Sequence, residues 1–300
     1  MDRLQAMTAF LTVVDTGGFA SAARKLKVSP SVVTRMVGEL EDAMGVRLLT
    51  RTTRMVRMTD TGADYADRCR RILADIEEAE QSATSMHGTT RGLLSITSSM
   101  LFGKYYVTPI VIDYLGRYPE VDVSCWFLDR IVNIVDEGID IAIRLGDLPD
   151  SSMQAVRVGQ VRRVVCASPD YLARHGVPRN PEDLAGRAIV SASGVSTLSE
   201  WRFGSDERRH AVRVKPRMTT TTNDSAISAV AAGLGLTQLL SYQIAQQLRD
   251  GTLQIVLEAF EPPPLPIHVM HREGRHVTRK VRTFVDLAIE TLRSNSSLNP

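Results

Sequence analysis

Three groups of polar side chains have the types and spacing for chemistry on nucleic acids or small anions. The first is Ser31, Thr34 and Arg35, preceded by Ser29 and Pro30. On a helix these would project from one side of its first turns, and short hydroxyls with a guanidinium reach phosphates and base edges, Arg pairing bidentately with guanine. The second is Arg51, Arg54 and Arg57, three residues apart around a Thr-Thr pair. They suit a phosphate backbone or a minor groove, and their structural alternative is a solvated basic hairpin. The third is Ser98 and Ser99, hydroxyls at the start of a helix where free N–H groups favour an anion. Arg144 would pair with a carboxylate in bidentate fashion, and Phe102 would supply a pocket wall. Ser193, Trp201 and Asn223 are candidate contacts from later in the chain. Alternatives stand beside them: Ser98 and Ser99 as helix caps, Arg144 as partner of an Asp, Trp201 as core.

The elements that must position the first two groups are short. Leu4, Met7, Phe10, Leu11 and Val14 recur at helical spacing, and Gly17-Gly18 stops that helix. A second helix is predicted over residues 19–26, with Ala22 and Ala23 permitting close approach of another helix. Ser29 is a good N-cap for a third, Pro30 takes its first position and Gly45 ends it. Its apolar face is Val33, Met36, Val37 and Leu40, leaving Ser31, Thr34 and Arg35 outward. Three short helices with a tight turn before the third describe a helix-turn-helix. Residues 46–51 and 55–59 read as two strands of a wing that presents the arginines.

Thr59 can cap a further helix. Along it Tyr65, Cys69, Ile72, Ile76, Ala79, Ala83 and Met86 alternate spacings of four and three. That a/d stripe has nothing local to cover it, so pairing with a second copy is expected. The alternative is packing on the chain's own C-terminal domain. Cys69 reads as a small hydrophobe on that seam, and residues 87–92 read as a hinge. From Leu93 strands (93–97, 121–128, 139–144, 161–167) alternate with helices (104–117, 131–137), and the alternation continues to a last helix over 279–293. This implies an α/β fold with a parallel sheet and crossover helices, with ligands beyond the strands' C-terminal ends.

Gly18-Phe19-Ala20-Ser21-Ala22-Ala23-Arg24-Lys25-Leu26, Val28-Ser29-Pro30-Ser31-Val32-Val33-Thr34-Arg35, Leu40-Glu41, Gly45-Val46-Arg47-Leu48-Leu49-Thr50-Arg51 and Thr59-Asp60-Thr61-Gly62 resemble, in order and spacing, the winged helix-turn-helix of the LysR-type transcriptional regulators. Gly18, Thr34 and Leu49 depart from the residues usual in that family. Tyr118-Pro119-Glu120-Val121, Asp136-Glu137-Gly138-Ile139-Asp140, Ala232-Gly233-Leu234-Gly235 and Arg249-Asp250-Gly251-Thr252-Leu253 resemble the same family's effector-binding domain. That domain is similar to type 2 periplasmic binding proteins, with two α/β lobes, two crossovers and a cleft. The resemblance implies a DNA-binding head at 1–59, a linker and dimerisation helix with hinge at 60–90, and an effector domain at 91–300. Lobe one would be 91–162 plus 267–300, and lobe two 163–266. It also implies a regulator, not an enzyme. Such a regulator would bind an interrupted palindrome in double-stranded DNA as a homodimer or homotetramer, meet RNA polymerase, and respond to a small, anionic effector in the cleft with no further cofactor.

Composition agrees. The chain has 300 residues, 36 Lys+Arg, 34 Asp+Glu and 3 Cys, ordinary for a globular protein of about two domains. Residues 1–58 hold nine basic against five acidic side chains, and residues 60–90 three against seven, so only the head suits a phosphate backbone. Three scattered cysteines form neither a disulfide framework nor a zinc pattern. No apolar run approaches a membrane span, and Met1-Asp2-Arg3-Leu4 does not open a signal peptide, so the cytoplasm is the expected compartment. His268-x-x-His271 lies on a predicted strand, where residues three apart face opposite ways. The competing class, a solute-binding or catalytic α/β protein, lacks a leader on one side and a nucleophile or metal motif on the other.

Overall fold

The computed structural model describes residues 2–51, 56–84, 90–130, 134, 137–148, 153–192, 200–204, 210–272 and 278–299. It forms two compact units, Met1–Thr89 and Thr90–Pro300.

The first unit opens with helices α1 (Arg3–Thr16), α2 (Phe19–Leu26) and α3 (Pro30–Met44). Asp2 caps α1, its Oδ1 accepting from the amides of Leu4 (3.0 Å) and Gln5 (3.3 Å). Gly17 ends the helix at φ +72°, a conformation that favours glycine. Lys27 is left-handed as well, at φ +56°, and turns the chain from α2 toward α3. Ser29 starts α3 without a side-chain cap; its hydroxyl bonds the Ser31 hydroxyl at 2.9 Å instead. The cap expected of Ser29 is therefore not made, and Pro30 reduces the need for it by removing one orphan donor. Phe10, Val13, Ala22, Val33, Val37 and Leu40 are fully buried, each large side chain contributing about 1.5–3 kcal/mol.

Strands β1 (Leu49–Arg51) and β2 (Val56–Met58) pair antiparallel and make the wing, shorter than expected. It is tied to α3 by one buried carboxylate. Glu41 is 2% exposed; its Oε1 accepts from the Leu48 (2.8 Å) and Leu49 (3.0 Å) amides, and its Oε2 meets Arg47 at 3.2 Å. Helix α4 (Asp60–Thr84) follows. The Thr59 hydroxyl accepts from the Gly62 amide at 2.9 Å and donates to the Arg47 carbonyl at 2.8 Å.

The stripe on α4 is not one seam. Ala66 and Cys69 are buried in the head's own core, with Tyr65 and Leu73 packed against it. Phe10 and Tyr65 place their rings 5.8 Å apart, and Arg70 bridges to Asp15 at 2.8 Å. Burial and then Cys69 push the Tyr65 hydroxyl up to about 12. Tyr65 and Cys69 thus belong to the head rather than to a dimer seam. A heptad period shows that a face is covered, not by what. Ile72 is 41% exposed and Ile76 is half-buried outside the head core. The side chains of Ala79 and Ala83, and Met86 altogether, lie outside the described residues.

The second unit contains two five-stranded sheets. The first is built from β3 (Gly92–Ser98), β4 (Val121–Phe127), β5 (Ile141–Leu145) and β6 (Met153–Val161), joined by β14 (Leu265–Arg272). Between β3 and β4 run α5 (Met100–Phe102), a π turn (Gly103–Val107) and α6 (Thr108–Arg117), so this helical stretch starts four residues before the expected Lys104. The second sheet holds β7 (Arg163–Ala167), β8 (Ile189–Ala192), β11 (Pro216–Thr220), β12 (Leu236–Leu240) and β13 (Gln254–Val256). A separate hairpin pairs β9 (Glu200–Phe203) with β10 (His210–Arg213). Helices α7 (Pro169–His175), α8 (Asn223–Ala231), α9 (Ala245–Arg249) and α10 (Arg279–Arg293) complete the unit. The helix expected over 131–137 lies largely outside the described residues.

The sheets are mixed, not parallel. In the first, β3 is parallel to β4 and β5, while β14 is antiparallel to β5 and β6. In the second, β8 is parallel to β11 and β12, while β7 is antiparallel to β12 and β13. The antiparallel strands flank the two places where the chain crosses between sheets, at Arg162 and between Val256 and Leu265. A returning strand need not keep the direction that βαβ crossovers impose. Arg162 clamps the crossings together, bonding Glu258 at 2.5 Å and Glu261 at 2.7 and 2.8 Å.

Candidate DNA-binding and effector sites

In the first unit, α3 buries Val33, Val37 and Leu40 and leaves Ser29, Pro30, Ser31 and Arg35 exposed, with Thr34 half-buried. The Arg35 side chain is 69% exposed, with Glu39 at 3.8 Å, a loose contact that a ligand can replace. The outer face of α3 therefore presents hydroxyls, a guanidinium and the free amides of a helix start. Arg57 on β2 is exposed, and Thr50 donates to its carbonyl at 3.2 Å. Arg54 and the side chain of Arg51 lie outside the described residues.

In the second unit, the C-terminal ends of β3 and β4 meet residues from the other sheet. Ser98 ends β3 beside Phe127 and Ile143; its hydroxyl is buried with no partner among the described residues. The Ser99 hydroxyl lies 3.4 Å from the Tyr242 hydroxyl, in the turn after β12. Asp129 joins the two sides. Its Oδ1 accepts from the Met100 amide at 2.9 Å and its Oδ2 from Asn223 Nδ2, at the start of α8, at 3.2 Å. The anion seat at this helix start is thus filled by the protein's own carboxylate.

Aromatic rings wall the junction. Phe102 is fully buried, stacks on Tyr106 at 4.8 Å and meets Tyr242 edge-on at 5.3 Å. Burial pushes the Tyr242 hydroxyl up to about 12, so it stays a neutral donor. Gly103 permits the close packing, since a Cβ there would lie 2.3 Å from the Phe127 ring. The Arg144 guanidinium is lowered by burial, with Glu137 opposing; in sequence Arg144 follows Ile143, the residue on β5 that pairs with Ser98.

Trp201 does not belong here. It is 6% exposed, in a core with Val165, Tyr171, Ile189 and Phe203 on the second sheet, because its strand is half of a hairpin that covers that sheet. Ser193 lies outside the described residues. Asp129 and Tyr242 were missed in the sequence, although both follow strand C-terminal ends, where ligands gather in α/β sheets.

Cys69 and Cys166 are buried, and burial pushes both thiols up, Cys166 to about 12, which leaves these two poor nucleophiles. Among the described residues no group of His, Cys, Asp and Glu could hold a metal, and no helix is long and apolar enough to cross a membrane.

A winged helix-turn-helix joined to a two-sheet domain with a polar junction defines a DNA-binding regulator that carries its own small-molecule sensor. Residues 4–63 match the family model for the bacterial regulatory helix-turn-helix protein, lysR family, and residues 87–293 match the LysR substrate binding domain. The chain belongs to the LysR family of transcriptional regulators. It is 35% identical over 300 residues to the HTH-type transcriptional repressor PA14_22550 of Pseudomonas aeruginosa, covering 99% of this chain and 95% of that one. It is 31% identical over 290 residues to the HTH-type transcriptional regulator CrgA of Neisseria meningitidis, covering 96% and 97%. The solved structure of CrgA superposes with a TM-score of 0.62 at 30% identity, covering 97% of this chain and 99% of that one.

Proposed function

We propose that α3 enters the major groove, with Ser31, Thr34 and Arg35 at base edges and Ser29 and Pro30 against phosphates. Arg51, Arg54 and Arg57 of the wing grip the backbone beside it. The observation that carries this is the exposed polar start of α3 with its guanidinium 69% exposed, on the same small unit as the basic wing. The test is salt-dependent binding to the DNA upstream of the protein's own gene. Arg35→Ala is expected to weaken binding to the preferred site about 10- to 100-fold, the worth of one bidentate base contact. Arg57→Ala is expected to weaken binding evenly across sequences and to flatten the salt slope by about one unit. Wild-type protein with no DNA affinity at low salt would remove the reading.

The effector site we place at the junction of Ser98, Ser99, Phe102, Tyr242, Asn223 and Arg144. The buried Ser98 hydroxyl, the Met100 amide and Arg144 favour an anionic ligand. Such a ligand displaces Asp129 from Met100, and in doing so unhooks it from Asn223. The contact between the two sides then differs between free and bound states, as coupling to DNA requires. RNA polymerase contact in the cytoplasm belongs to the same reading.

Homo-oligomerisation is supported by exposed apolar side chains, Ile72 on α4 and Tyr105, Ile112 and Trp126 on the second unit. We place Ile72, Ile76, Ala79, Ala83 and Met86 on the linker seam. Ile72→Asp should shift the protein to a smaller species by light scattering while the melting of the head is unchanged. An unaltered mass would take Ile72 off the interface.

A further inference from the structure

The second unit holds a cavity of about 270 Å³ away from the Ser99–Tyr242 junction, lined by Arg174 and His175 of α7, by Arg187, and by Arg217 of β11. No carboxylate lines it, and none pairs with the three arginines within ion-pair distance among the described residues. Arg187 gives Nε to the Asp183 carbonyl at 3.4 Å, and Nη1 to the carbonyls of His175 and, at 3.2 Å, Gly176. Arg174 gives Nε to the Asp170 carbonyl at 3.2 Å and Nη2 to the Gly233 carbonyl at 3.5 Å. These neutral partners position the guanidiniums without cancelling their charge, and each keeps one terminal nitrogen uncommitted. The Arg217 side chain makes no hydrogen bond or ion pair among the described residues.

The backbone singles out Arg217. The β11–β8 ladder pairs Pro216 with Ile189 and Met218 with Val190, so Arg217 is an extra, unpaired residue between them. A bulge of this kind re-aims a side chain. Asp183, four residues before Arg187, is engaged elsewhere: the Arg179 and Asn180 amides hold its carboxyl low, with Arg187 a smaller contributor. A chain that spends three arginines around one hollow without an acid among them has built a seat for an anion. At about 270 Å³ the hollow lies at the small end of ligand sites, roughly 300–1,000 Å³, and has room for a small anion.

We propose that this cavity binds a small oxyanion carrying two charges, phosphate or a short dicarboxylate, between Arg174, Arg187 and Arg217. The full-length protein is titrated calorimetrically with inorganic phosphate and, separately, with succinate, at ionic strength balanced with chloride. Saturable binding of one anion per chain is expected, at least ten-fold weaker in Arg217→Ala. Arg217→Gln, closer in shape, should lose it as well, and both variants should keep the wild-type melting temperature. Response to phosphate alone assigns a phosphorylated ligand, and response to succinate alone a dicarboxylate; each supports the site. No saturable binding of either anion, or equal binding by wild type and Arg217→Ala, would overturn it.

Discussion

Glu41→Ala is expected to lower the stability of the residue 1–89 unit by about 2–5 kcal/mol, because two buried backbone donors lose their acceptor at about 1–3 kcal/mol each. Those donors are the amides of Leu48, fully buried, and Leu49, 4% exposed, and both bond the same Glu41 oxygen. Water cannot replace that oxygen without opening the core. Glu41→Gln keeps a carbonyl oxygen in the same place and should cost about half as much, through loss of the charge-assisted part of the bonds. Arg47→Ala should cost only about 1 kcal/mol, because the Arg47 side chain is 75% exposed and the buried Glu41 carboxylate keeps both of its amide donors without it. Urea titration with hydrogen exchange at the 45–60 segment separates these cases. Glu41→Ala with Leu48 and Leu49 exchanging at the wild-type rate would show the carboxylate to be dispensable. The consequence for function is direct: the wing arginines hang on strands whose entry this carboxylate holds against α3.

Gly62→Ala should be nearly as damaging, for a steric reason. A Cβ at Gly62 would sit 2.0 Å from the Leu48 carbonyl oxygen and 2.9 Å from its carbon. Both atoms are backbone, so no rotamer relieves the clash. That carbonyl also accepts from the Thr59 amide at 3.0 Å, so the displacement breaks the join between wing and α4. Overpacking of this kind costs about 1–3 kcal/mol and more where backbone must move; here we expect about 3 kcal/mol and a matching loss of operator binding. Gly38→Ala is the counterpart. Nothing lies within 4 Å of a Cβ there, and Ala in a helix interior is favoured over Gly by about 1 kcal/mol, so the head should melt higher. Thermal denaturation of both variants checks the pair, and a Gly62→Ala protein melting with wild type would refute the clash.

Features under local chemical control were legible in the chain. Pro30 and Gly45 bound α3, and Gly17 stops α1, because caps and left-handed turns are properties of one or two residues. The outward direction of Ser31 and Arg35 followed from the apolar stripe through Val33, Val37 and Leu40, since a 3.6-residue period assigns both faces at once. The family was legible for the same reason, its motifs being short runs of adjacent residues. Tertiary structure alone decided which surface covers a stripe. Tyr65 and Cys69 carried the spacing of a dimer seam, yet the nearest apolar surface was the chain's own Phe10. Strand direction at the crossings and the place of Trp201 were likewise invisible, because alternation predicts strands but not their partners. The effector junction was half legible. Ser98, Ser99 and Phe102 stand together in sequence, whereas Asn223 lies 94 residues from Asp129 and Tyr242 lies 143 residues from Ser99. Contacts at that separation form only when two sheets close on each other, and no local pattern records them.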